Sequence, residues 1–217
     1  MAIIFDLDGT LINSFDVHIK LIKSAIDKVL GKDKIPLDFI KDNIRFPTKE
    51  MLNMASQNLG ITITNKQMKE IIKLKDEKFK GDTIKKIKFY PKAKELLYFL
   101  KNSGIKFCIA TSMNNEELNQ IEPLFKLKDI CEVVNSPALK HEKPDPYIIN
   151  IALKTIKAKK NETSYIGDAE TDYKASINAG VKFIGVNNLK LLDLGDMFFK
   201  DIKTLYNFIK KDYSYFL

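Results

Sequence analysis

The chain opens Ala2-Ile3-Ile4-Phe5-Asp6-Leu7-Asp8-Gly9-Thr10-Leu11, and the reading of this stretch decides the fold. Its apolar, β-branched start reads as a buried strand. The strand runs into two carboxylates spaced two apart, then a glycine and a threonine. Residues two apart on an extended chain point the same way. A turn at Gly9 would leave Asp6 and Asp8 near each other at the exposed C-terminal end of the strand. Two like charges that close are costly unless a cation sits between them or they divide an acid/base task. Such an arrangement suits chemistry on a phosphate.

At 217 residues the chain is long enough for one large core, or for a core plus a smaller domain. Its 45% hydrophobic and 29% charged content is that of a soluble globular protein. No apolar run approaches the length of a membrane span. The N-terminus meets Asp6 too early for a secretory signal, so a cytoplasmic location is expected. The net charge of +8 raises a nucleic-acid partner as an alternative. The lysines, however, are spread along almost every segment and mixed with acids, which reads as a solvated surface. Cys108 and Cys131 are unclustered, in apolar strand-like runs, and read as buried reduced thiols.

After Thr10 the pattern becomes helical. Val17, Leu21, Ile22, Ala25, Ile26, Val29 and Leu30 recur at helical spacing, and Gly31 follows as a stop. Pro36 opens a short helix to about Asp42, and another runs from about Pro47 to Leu59 with Gly60 as its end. Thr64 to Gln67 has the form of a capping box for a fourth. Residues 15–85 therefore read as a helical domain inserted after the first strand, and residues 1–14 with 86–217 as the main domain.

From Pro91 helices and strands alternate. Strands are expected at 105–110, 131–134, 163–166 and 181–186, with a last short one at Met197 to Phe199. The intervening helices include one from about Asn114, one opened by Pro144 to Pro146, one over Glu170 to Ala179, and a final one capped by Asp201. This alternation predicts an α/β fold with a doubly wound, Rossmann-like parallel sheet. Ligands of such sheets bind beyond the C-terminal strand ends, where the strand order reverses.

The residues at those strand ends carry the functional expectation. Asp6 and Asp8 follow the first strand, and Thr111 and Ser112 follow Ala110. Gly167, Asp168 and Asp172 follow Ile166, and Lys143 lies between the third of these strands and its helix. Taken singly, Thr111-Ser112 is a helix cap, Asp172 an exposed helical residue and Lys143 one lysine among many. Together they place carboxylates, hydroxyls and a lysine on one edge of the sheet.

Asp6-Leu7-Asp8-Gly9-Thr10-Leu11 resembles the first motif of the haloacid dehalogenase superfamily, in its phosphoglycolate-phosphatase-like and β-phosphoglucomutase-like branch. Thr111 is similar to the second motif, Lys143-Pro144 to the third, and Gly167-Asp168 with Asp172 to the fourth. The helical insert matches the position of the superfamily's mobile cap. The resemblance implies a phosphatase in which Asp6 is the nucleophile and forms an aspartyl-phosphate. It implies that Asp8 protonates the leaving alcohol and then activates water, and that Thr111 and Lys143 hold the phosphoryl group, with Ser112 beside them. The implied cofactor is Mg²⁺, held by the Asp6 side chain, the Asp8 backbone carbonyl and Asp168, with Asp172 as a further ligand or its support. A dehalogenase lacks the second aspartate, so Asp8 points to phosphate chemistry.

The expected substrate is a small phosphorylated metabolite such as phosphoglycolate or a sugar phosphate, and a phosphomutase or pyrophosphatase is the alternative. Arg45, the only arginine, with Lys49 and His18 are candidate substrate contacts of the inserted domain. A guanidinium grips a carboxylate or second phosphate in a way lysine does not. An ordinary surface arginine and a solvent-exposed histidine are the plainer readings of Arg45 and His18. No specific nucleic acid and no membrane are expected as partners, and the chain is expected to be a monomer or a weak homodimer.

Overall fold

The structure, a computed structural model, describes residues 1–135 and 141–212, so two short pieces of the expected main domain, 136–140 and 213–217, lie outside the described residues. The chain divides into two compact units, one made of Met1–Asn13 with Lys88–Leu217 and the other of Ser14–Ile87.

The first unit is built on β1 (Ala2–Phe5), every residue of which is buried. It lies between β4 (Lys106–Thr111) and β6 (Thr163–Gly167) and pairs with both in parallel. With β5 (Glu132–Asn135), β7 (Lys182–Val186) and β8 (Met197–Phe199), the sheet has the order β5-β4-β1-β6-β7-β8. The chain leaves β1 toward one edge, through β4 and β5, and then crosses to fill the other. The strand order therefore reverses between β1 and β6, the place where sheets of this kind bind their ligands. This is the doubly wound α/β fold expected from the alternation.

Helices α5 (Ala93–Asn102), α6 (Asn115–Phe125), α7 (Tyr147–Thr155), α8 (Glu170–Ala179) and α9 (Ile202–Lys211) cover the sheet. On one face Ile4, Cys108, Ala110, Tyr165 and Phe183 form a core with Ile148, Ile149, Ala152 and Leu153 of α7 and Ala175 and Ala179 of α8. Ile3 and Phe5 alternate to the opposite face and are equally buried. Burial on both faces is why β1 is continuously apolar rather than alternating.

A short antiparallel pair, β2 (Ile12–Asn13) with β3 (Lys88–Phe89), is an addition that the sequence did not announce. Two residues are too few for a periodic signal. The cap of α6 lies at Asn114, where the helix was expected to begin, and not at Thr111-Ser112. Asn114 Oδ1 accepts from Glu117 N at 2.9 Å, and Glu117 Oε2 accepts from Asn114 N at 3.2 Å. Thr111 is the last residue of β4 rather than part of that cap, because the strand runs one residue further than its apolar stretch.

The second unit consists of α1 (Phe15–Leu30), α2 (Leu37–Asn43), α3 (Thr48–Leu59) and α4 (Asn65–Lys78). Their apolar stripes meet in a core that includes Ile22, Ile26, Ile40, Met51, Leu52, Met68 and Ile71. Both halves of the expected box at Thr64 form: its hydroxyl accepts from Gln67 N, and its N–H donates to Gln67 Oε1 at 2.9 Å. Gly60 ends α3 at φ 63°, in the left-handed region that glycine enters without a Cβ penalty. Among the described residues, no helix is long and apolar enough to cross a membrane.

Candidate active site

Asp6 is the first residue beyond β1, and its N–H still donates to Ile166 O of β6 at 2.9 Å. That bond fixes its backbone at the reversal of strand order. It is only 5% exposed, so the end of the strand is the floor of a buried site, not the exposed position expected.

The acids that gather there are Asp6, Asp168 and Asp172, whose carboxylate oxygens lie within 4.8 Å of one another. The Asp8 carboxylate is outside this group. The role expected of that carboxylate is proton transfer, and the metal contact expected of Asp8 is its backbone carbonyl. β1 ends at Phe5, and Leu7 O already accepts from Leu11 N and Ile12 N at 2.9 and 3.0 Å. The backbone has begun its turn before Asp8, so the two-residue alternation of a strand no longer applies. Gly9 completes the turn at φ 79°.

Asp168 and Asp172 are each 1% exposed. The reading of Asp172 as an exposed helical residue is thus overturned. Its Oδ2 accepts from Asp168 N at 3.2 Å and Ala169 N at 3.0 Å, so it reaches back to the unpaired donors at the start of α8. Gly167 makes that approach possible, because a Cβ there would stand 2.6 Å from the Asp172 side chain. Asp168 is oriented by Thr10, whose Oγ1 donates to Asp168 Oδ1 at 3.0 Å.

Lys143 enters this acidic group and brings a positive charge to it. Its Nζ donates to Asp6 Oδ1 at 2.5 Å, to Asp172 Oδ1 at 2.6 Å and to Tyr165 Oη at 3.0 Å. Tyr165 Oη in turn donates to Asp172 Oδ1 at 3.2 Å. Burial pushes the Asp6 carboxyl up to about 8; Lys143 opposes the rise, while Asp172 and Asp168 add to it. Burial also works against the Lys143 charge, but Asp172 and Asp6 outweigh it and hold the ammonium well above its ordinary value. Among the described residues, three buried carboxylates face the Lys143 ammonium, which leaves a surplus of negative charge when all are ionised. An all-oxygen donor set with such a surplus suits a hard divalent cation, whose charge would favour the ionised acids.

Of the other expected residues in this unit, Thr111 is fully buried and its Oγ1 accepts from Met113 N at 3.1 Å, which leaves its hydroxyl hydrogen to donate. Ser112 is exposed and Asp8 is half-buried. Arg45, Lys49 and His18 belong to the helical unit. Arg45 stacks its guanidinium 4.6 Å above the Phe15 ring, and Lys49 is exposed at the start of α3. His18 is not the solvent-exposed histidine of the plainer reading: it is half-buried and stacked on Phe79 with ring centroids 5.0 Å apart. Burial, helped by Lys75, pushes its imidazole down to about 3 and keeps it neutral.

Tyr165, Thr10, Asn187 and Asn188 also shape the site, and sequence reading assigned no role to them. Tyr165 was visible only as a strand residue, because a phenol in an apolar run carries no signal for a partner far along the chain.

The family described as Haloacid dehalogenase-like hydrolase matches residues 3–186. A Caldanaerobacter subterraneus protein provisionally named pyrophosphatase PpaX is 28% identical, over 96% of this chain and 94% of its own. A phosphoglycolate phosphatase of Haemophilus influenzae is 22% identical, over 84% of this chain and 83% of its own. The crystal structure of a hydrolase from Pseudomonas syringae superposes with a TM-score of 0.83 at 26% identity, covering 97% of this chain and 98% of that one.

Proposed function

This chain belongs to the haloacid dehalogenase-like hydrolases, and we propose that it is a Mg²⁺-dependent phosphatase of a small phosphorylated metabolite. The observation that carries the reading is the buried group of Asp6, Asp168 and Asp172, bridged by Lys143 at the strand-order reversal. Asp6 acts as the nucleophile: its carboxylate attacks phosphorus, the ester P–O bond breaks, and an aspartyl-phosphate forms. Asp8 gives a proton to the leaving alkoxide and then takes one from the water that cleaves the acyl phosphate. Thr111 donates its hydroxyl to the transferring phosphoryl group, with Ser112 nearby, and Lys143 places a point charge beside it. Asp6, Asp168, the Asp8 carbonyl and Asp172 would hold Mg²⁺, which when bound supplies charge neutralisation for the phosphate dianion. The helical unit, residues 15–85, is proposed as the cap that selects substrate, with Arg45, Lys49 and His18 as its candidate contacts. Phosphoglycolate or a sugar phosphate is the substrate class. A pyrophosphate substrate is the second reading, favoured by the name of the 28% identical relative.

A phosphate-release screen over phosphoglycolate, sugar phosphates, nucleotides and pyrophosphate tests this directly. Release from at least one small substrate with Mg²⁺, and none with EDTA, is expected. Equal rates with EDTA would remove the metal from the scheme, and no release from any substrate would remove the phosphatase reading.

The raised Asp6 carboxyl makes a pH prediction for the metal-free protein. A carboxyl whose folded value exceeds its unfolded value stabilises the fold below the unfolded value of 3.8, and loses that contribution as pH rises through about 8. A divalent cation binds the ionised form, so its contribution grows over the same range. The rise in melting temperature on adding Mg²⁺ should thus be larger at pH 8.5 than at pH 6. Calorimetric scans that show equal or smaller increments at the higher pH would contradict the electrostatics of Asp6.

A further inference from the structure

The loop that leaves β7 carries two adjacent asparagines, and each reaches a different neighbouring loop. Asn187 Nδ2 donates to Gly9 O at 2.8 Å and to Thr10 O at 3.0 Å. Asn188 Nδ2 donates to Asp168 O at 2.8 Å. In the sheet, β6 lies between β7 and β1. Asn187 therefore reaches past the strand that precedes Asp168 to hold the loop that follows Asp6.

Gly9 and Thr10 are buried, and their loop's own backbone bonds run to the carbonyls of Leu7 and Ile12. A buried carbonyl needs a donor. One amide nitrogen carries two hydrogens, so a single asparagine satisfies two consecutive carbonyls at once. Aspartate has no hydrogen to give when ionised, and serine has one. Asn187 adopts φ 57°, a left-handed conformation in which asparagine is enriched. The contact continues into the acidic group: Thr10, whose carbonyl is held by Asn187, donates its hydroxyl to Asp168 Oδ1 at 3.0 Å. The Asp168 carboxylate and the Asp168 carbonyl are thus oriented by two neighbouring residues of one loop, the first indirectly and the second directly.

We propose that Asn187 is a positioning residue for this active site, fixing the loop after Asp6 and acting through Thr10 on the Asp168 carboxylate, while Asn188 holds the Asp168 backbone. The rate effect rests on the phosphatase reading; the effect on the loop does not.

Asn187→Gly tests this, because glycine keeps the left-handed backbone and removes only the amide. With para-nitrophenyl phosphate as the probe, kcat should fall about ten- to a hundredfold, the usual cost of losing a group that orients a ligating carboxylate. KM should change by less than about twofold, since the ground-state contacts are untouched. Amide hydrogen exchange over residues 7–12 should accelerate while β4 and β8 keep their protection. Thr10→Val should lower kcat similarly, and the double variant should lose no more than the worse single one, because both act along one path. Wild-type kcat in Asn187→Gly would overturn the proposal, as would unchanged exchange over residues 7–12 or losses that multiply in the double variant. If the wild-type protein releases no phosphate from any ester, the phosphatase reading falls and the exchange measurement alone still decides the role of Asn187.

Discussion

Asp6→Asn abolishes phosphate release, by about 10⁴-fold or more in kcat, the scale seen when a nucleophile is removed. Asparagine fills the same space, and its Oδ1 still accepts from Lys143, so the fold has no reason to yield. What changes is the chemistry, since an amide oxygen does not form the acyl phosphate. The substitution also removes a charge from a crowded buried site. The variant should therefore unfold at the same temperature as the wild type or higher at pH 8, where the wild-type Asp6 has to ionise against its surroundings. A dead enzyme of undiminished stability is the expected pair of results. Retained metal-dependent turnover would sink the assignment of Asp6 as nucleophile, and a large loss of stability would indicate that the carboxylate is structural.

Lys143→Met has the opposite profile. The ammonium joins Asp6 and Asp172 and is itself buried, so removing it leaves carboxylates without their counter-charge. Breaking a buried pair from one side costs about 3–5 kcal/mol. Methionine keeps most of the length and apolar stem, so the loss reports charge and not a cavity. Activity should fall about 10²–10³-fold, the usual effect of deleting one donor to a transferring group. Addition of Mg²⁺ should recover a part of the stability but not the rate, because a cation among the acids offsets their repulsion without replacing the contact to the phosphoryl group. Denaturant melts with and without metal, alongside phosphate release, separate these effects. A metal-free Lys143→Met protein as stable as wild type would show that the acids are already protonated and need no partner.

Much of the main unit was legible because its signals are local. Four apolar residues mark β1, and the stops at Gly60 and Gly180, the capping box at Thr64 and the cap at Asp201 all lie within a few residues of what they govern. Asp6, Lys143, Asp168 and Asp172 were legible as candidates because each falls at or near a strand end. The geometry that joins them was not. Lys143 meets Asp6 across 137 positions, and Asn187 meets Gly9 across 178, distances over which no spacing rule operates. The one local rule applied to the acids, strand alternation from Asp6 to Asp8, reaches only as far as the strand, and β1 ends at Phe5. Burial was hidden for a related reason: a histidine at a helix start and an aspartate in a first helical turn both look solvated until another segment covers them.

The position of β1 also bears on how the chain is made. It is synthesised well before its register partners, which begin at Lys106 on one side and Thr163 on the other. A nascent chain must therefore carry Ile3, Ile4 and Phe5 with two open edges until most of its length has emerged, a state prone to wrong pairing. Residues 14–87, whose contacts are near in sequence, can organise long before that. Folding of the main unit is thus paced by the arrival of its last central strand, and β1 waits for its neighbours longer than any strand that follows it.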